Sequence, residues 1–112
     1  MRCFLLGTLR DIGVREPQTR AQLAYDKAKE LGIQVISRDL TVGRFDFCTL
    51  IEAPNLAVAS AFDHWYSAAD LGDLEILVVH DDEDTEQLSR LLRGPAFQPA
   101  QEDLDPIPTA AP

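Results

Sequence analysis

Cysteine and histidine are both scarce, with two of each in 112 residues. Cys3 and Cys48 form no CxxC pair, and a disulfide between them requires their Cα atoms to come within reach in the fold. Each lies in an apolar, strand-like run, so both read as buried, reduced thiols. No HxxxH or HExxH spacing is present, and neither metal nor cofactor is expected. Long apolar runs are missing too. The one that follows Arg2 ends by Leu9, too short for a signal core or a bilayer span. Positive charge is in deficit: 10 Lys and Arg stand against 19 Asp and Glu, a net −9, which disfavours a phosphate backbone as partner. No P-loop, GxGxxG or ordered Ser/His/Asp set appears. These absences predict a cytoplasmic protein without nucleic-acid or membrane partners.

What is present suits one small domain over residues 1–93 and a tail over 94–112. Residues 81–112 carry eight acids and two arginines, so much of the negative charge lies near the C-terminus. Pro95–Pro112 holds five prolines and three acids, a composition that predicts a flexible tail.

Periodicity places the elements. Met1–Leu9 reads as a strand with apolar side chains on both faces, and Arg10–Glu16 as a loop. Pro17 opens a helix to Leu31, with Ala21, Ala24, Ala28 and Leu31 on its inner face and Gly32 as its stop. Ile33–Val42 and Phe45–Ala53 form a hairpin around Gly43-Arg44. Asn55 caps a helix to Leu71, whose stripe is Val58, Phe62, Trp65 and Ala69. Leu74–His80 is a last strand, and Asp82–Arg93 a short helix with acids at its start and Arg90 and Arg93 at its end. The order predicts an α+β, ferredoxin-like βαββαβ fold with a four-stranded antiparallel sheet, two helices on one face, a short C-terminal helix and a Pro-rich tail.

Two helices protect one side of such a sheet. Strand parity groups Val79, Leu77, Leu5, Leu50 and Cys48 against Ile76, Val78, Phe4, Leu6, Phe47 and Ile51. Neither set is polar enough for a solvated face, which predicts a homodimer packed sheet against sheet.

The segment Phe4–Leu92 resembles the GYD domain family. The likeness rests on Gly13 in DIGVRE, Arg20 at the opening of the first helix, KELGIQV, and TVGRFDF followed by IEAPN. It implies the dimeric α+β barrel superfamily, in which two ferredoxin-like sheets face each other, and it implies architecture more than chemistry. The chain departs from the family pattern in FDHWYSAADLG, which is bulky and aromatic, and in the apolar LEILVV. An inherited ligand site could be reshaped or filled there.

Candidate chemistry is sparse. Asp46 reads as a structural carboxylate that accepts from turn amides and pairs with Arg44, or else as a general base at a pocket mouth between Phe45 and Phe47. His64, on the border of the apolar stripe, is either a surface residue or an acid/base. His80 beside Asp81 and Asp82 reads as a solvated strand end, with a metal site as the alternative. Trp65 and Tyr66 pack in a core or line a planar ligand. Tyr25 caps the helix–sheet cleft or is exposed.

Three functions follow. The first is a homodimeric accessory protein that binds a small apolar or aromatic molecule in the sheet–helix cleft, with Arg44, Phe62, Trp65 and Tyr66 against the ligand. The second is a cofactor-independent enzyme, an isomerase, cyclase or monooxygenase by analogy of fold, with His64 as acid/base, Asp46 or Tyr25 as helper and Trp65 as a wall. The third is a structural protein whose acidic tail docks on a basic partner protein.

Overall fold

In the computed structural model, which describes residues 1–95, eight elements follow in order. They are β1 (Arg2–Leu9), α1 (Asp11–Arg15), α2 (Pro17–Glu30), β2 (Gln34–Leu40), β3 (Phe47–Glu52), α3 (Leu56–Ala68), β4 (Gly72–Val78) and α4 (Asp82–Arg93). The contacts divide the chain into two units, residues 1–79 and the segment beginning at His80.

In the first unit the four strands form one antiparallel sheet in the order β2-β3-β1-β4. The fold is α+β, and its element order is consistent with a ferredoxin-like arrangement. β1 is central, which suits a strand that is apolar on both faces. β2 is an edge strand, and its ladder with β3 slips between Val35 and Ser37, a bulge that leaves Ile36 out of register.

Local chemistry explains the helix ends. Pro17 stands in the first turn of α2, Lys27 and Lys29 lie in its last turn, and Gly32 follows at φ 74°, a conformation glycine adopts freely. Asn55 caps α3, its side chain accepting from the Val58 amide at 3.0 Å. After α3 the chain turns through Asp70, a non-glycine residue at φ 60°. Its carboxylate takes the Arg10 guanidinium at 2.6 Å, and Asp73 takes the same group at 2.9 Å.

The core lies between the sheet and helices α2 and α3. Cys3, Leu5, Phe47 and Ile51 meet Ala28, Ala59, Phe62 and Tyr66 there. Fully burying side chains such as Ile51 and Phe62 stabilises the fold by about 1.5–3 kcal/mol each. The alternate residues Phe4, Leu6, Cys48 and Leu50 are half-buried and point to the face that α2 and α3 leave uncovered. Leu77, which pairs with Phe4, joins them at 55% exposure.

Several expectations need correction. Strand parity mixed the faces: Leu5 belongs with Phe47 and Ile51, whereas Phe4 and Leu6 belong with Cys48, Leu50 and Leu77. Alternation assigns faces within a strand, but only register relates one strand to the next. Cys48 is half-buried rather than buried, on the face opposite Cys3. Residues expected as a loop form the single turn α1, closed by Glu16 N–H donating to the Ile12 carbonyl at 2.8 Å. The buried stripe of α3 is Ala59, Phe62 and Tyr66. Val58 and Trp65 are half-buried and Ala69 is exposed.

In the second unit, α4 has the expected bounds. Asp81 caps it by accepting from the Asp84 amide at 2.7 Å, and Arg90 pairs with Glu86 one turn back. Leu88, Leu91 and Leu92 form an exposed apolar stripe. The expected flexible tail lies, from residue 96 on, outside the described residues. Among the described residues no helix is long and apolar enough to cross a membrane.

Candidate functional site

The inner face of α2 is built from alanines. Ala21, Ala24 and Ala28 put little volume between the helix and the strands below, and the space left is a cavity of about 50 Å³. Leu5, Phe47, Thr49 and Ile51 form its floor, Phe62 and Tyr66 of α3 a wall, and Val35 and Arg38 of β2 its outer side. Tyr25 and Arg38 line it and are themselves exposed, so the cavity meets solvent where they stand. The Arg38 guanidinium lies 5.2 Å from the centre of the Tyr25 ring.

Arg20 is the unusual member of this lining. It heads the same helical stripe as Ala24 and Ala28, is 7% exposed, and makes no ion pair among the described residues. One Nη donates to the Tyr66 hydroxyl at 3.3 Å, and the guanidinium lies 5.1 Å from the centre of the Phe47 ring, a cation–π distance. Its Nε is buried with no hydrogen-bond partner. Burial pushes the Tyr66 hydroxyl above its usual range, while the hydrogen bond and charge of Arg20 act the other way and Asp46 adds to the rise. The phenol is therefore neutral at neutral pH, and it accepts from Arg20.

The residues singled out from the sequence are scattered over this geometry. Tyr25, Phe62 and Tyr66 line the cavity; His64, Trp65, Asp46 and Arg44 do not. His64 is exposed on α3 beside Asp63, whose carboxyl is raised by its own burial and lowered by the His64 charge. Trp65 packs on Phe62 with ring centres 5.5 Å apart and carries the Lys27 ammonium over its face. His80 is exposed, and among the described residues no three His, Cys, Asp or Glu side chains gather as a metal site.

Asp46 is held differently from the expectation. Its carboxylate accepts from the Leu9 amide of β1 at 2.7 Å, not from the amides of its own turn. Its backbone N–H donates to the Gly7 carbonyl at 2.8 Å. Asp46 thus ties the start of β3 to the end of β1. Arg44 lies over the Phe45 ring instead of pairing with Asp46. The loop before them is closed by the Thr41 hydroxyl donating to the Phe45 carbonyl at 2.7 Å.

Arg20, Arg38 and Thr49 were missed by the sequence reading as cavity residues. Arg20 did leave a signal, because residues 20, 24 and 28 repeat every fourth position and so share a face. A scan against protein-family models, a search of curated proteins and a search of solved structures each return no match.

Proposed function

We propose that this chain is a homodimeric binding protein whose sheet–helix cavity takes a small apolar molecule. The observation that carries this reading is the cavity under the alanine face of α2, floored by Leu5, Phe47, Ile51 and Thr49 and open to solvent beside Tyr25 and Arg38. Its volume of about 50 Å³ suits an aliphatic group of about four heavy atoms, since each water-sized centre needs about 10–15 Å³. A benzene ring occupies a cavity of about 150 Å³, so an aromatic ligand enters only with its ring at the mouth. The uncovered apolar sheet face (Phe4, Leu6, Cys48, Leu50 and Leu77) supports pairing with the same face of a second copy, as in a dimeric α+β barrel.

Native mass spectrometry of protein purified from its own host tests the first part. The expected result is a small co-purifying molecule that leaves on denaturation. A panel of small neutral aliphatic compounds, read by thermal shift, is the complementary assay. Failure of both, with no small aliphatic acid bound either, overturns the binding role. Sedimentation tests the second part, and a mass of about twice 12.4 kDa is expected at micromolar concentration.

A further inference from the structure

Resting on the reading of this cavity as a ligand site, we propose that its ligand is a short-chain monocarboxylate whose carboxylate is held by the guanidinium of Arg20.

Arg20 carries a buried charge that meets a phenol and an aromatic ring but no carboxylate in an ion pair among the described residues. A guanidinium has five N–H donors and stays protonated, and burying it without a partner is costly. Arg20 is 7% exposed and has one hydrogen bond, to a neutral phenol, with its Nε buried and unpaired. The chain has 19 acidic residues, yet among the described residues none lines this cavity, whereas two arginines, Arg20 and Arg38, do. A site in an acidic protein that gathers two cations and no carboxylate is arranged for an anion from outside.

The anion's class follows from shape and lining. The planar fork of arginine matches a carboxylate with two parallel N–H···O bonds, and the buried, unpaired Nε is one donor of that fork. Apart from the two arginines, Thr49, Tyr25 and Tyr66, the walls are alanine, leucine, isoleucine, valine and phenylalanine, so the rest of the ligand is hydrocarbon. About 50 Å³ limits the whole molecule to about three to five heavy atoms, the size of acetate or propionate.

Calorimetric titration of the unaltered protein with acetate and propionate, each against its amide, decides the matter without a variant. The acids are expected to bind at least about tenfold more tightly than the amides, the range of a charge-assisted hydrogen bond. Chloride and inorganic phosphate, titrated alone, are expected to bind more weakly than propionate. In Arg20→Met the preference for acid over amide disappears. Because a buried unpaired charge has been removed, the ligand-free variant is expected to be at least as stable as the parent in urea. Arg20→Lys keeps the charge without the fork and binds acids at least several-fold more weakly.

Equal affinity for acid and amide overturns the carboxylate and leaves the cavity a binding site. So does tight binding to neutral aliphatics with none to acids. Binding of chloride or phosphate as tight as that of propionate replaces the carboxylate with a general anion site. If neither acids nor neutral compounds bind, the binding role itself falls.

Discussion

Gly7→Ala is the sharpest test of how the cavity is built. In the middle of a strand this change ordinarily stabilises by about 0.5–1 kcal/mol, because alanine has less backbone freedom to lose. Here the opposite sign is expected. A Cβ at residue 7 would stand 2.1 Å from Cζ of Phe47, with two further ring carbons at 2.5 and 2.7 Å. Ordinary contact begins near 3.4 Å, so the ring must withdraw by about 1.3 Å (3.4 less 2.1). It is poorly placed to do so: Phe47 is buried, edge-on to Tyr66 at 6.2 Å and under the Arg20 guanidinium. The nearest slack is the cavity itself.

Overpacking of this kind costs about 1–3 kcal/mol, and a weakened cation–π contact adds about 0.5–1 kcal/mol. After the propensity gain, a net loss of about 1–3 kcal/mol should appear in urea unfolding followed by circular dichroism. That is a large share of the roughly 5–15 kcal/mol that holds a domain together. A double-mutant cycle isolates the cause. In a Phe47→Leu background the cost of Gly7→Ala should shrink by at least about 1 kcal/mol. A neutral or stabilising Gly7→Ala, or a cost undiminished by Phe47→Leu, would refute the packing of this ring over the glycine.

Three further outcomes are expected. Leu6→Asp places a charge at the centre of the uncovered sheet face and should sediment near 12.4 kDa with its circular dichroism unchanged; a parent already at that mass removes the dimer. Asn55→Ala removes the α3 cap and should cost about 1 kcal/mol in urea; an unchanged midpoint contradicts the cap. Burial raises the Asp63 carboxyl in the folded state above its usual 3.8, so the native chain holds more protons than the unfolded one between those two values. Stability then falls as pH rises through that window, and the penalty is complete above the folded value. Asp63→Asn should therefore raise the melting temperature at pH 7, with the gain vanishing below about pH 3.8. A gain that persists there assigns the effect to something other than ionisation.

Strong local signals were legible in the sequence, and long-range relations were not. Pro17, Gly32 and Asn55 mark helix ends through backbone chemistry that needs no tertiary context, and the acid-first, arginine-last pattern of Asp82–Arg93 located α4 to the residue. A five-residue turn such as α1 is too short to show a period. In α3 the readable stripe ran through Trp65, but Tyr66 is the residue that turns inward, because its hydroxyl finds Arg20 there. Arg20 looked like a polar residue opening a helix; its burial depends on Phe47 and Tyr66, which lie 27 and 46 positions away in the chain. The anchor of Asp46 was hidden for the same reason, since Leu9 is its neighbour only once β1 and β3 have paired.

The slip between Val35 and Ser37 also bears on how copies of this chain avoid one another. An outermost strand with an unbroken row of amides and carbonyls invites a neighbour to extend the layer indefinitely. With one residue standing out of line midway along β2, no straight segment can match that border along its whole length. Growth sideways into filaments is discouraged, and the broad greasy side of the layer is left as the surface for the proposed pairing of two copies.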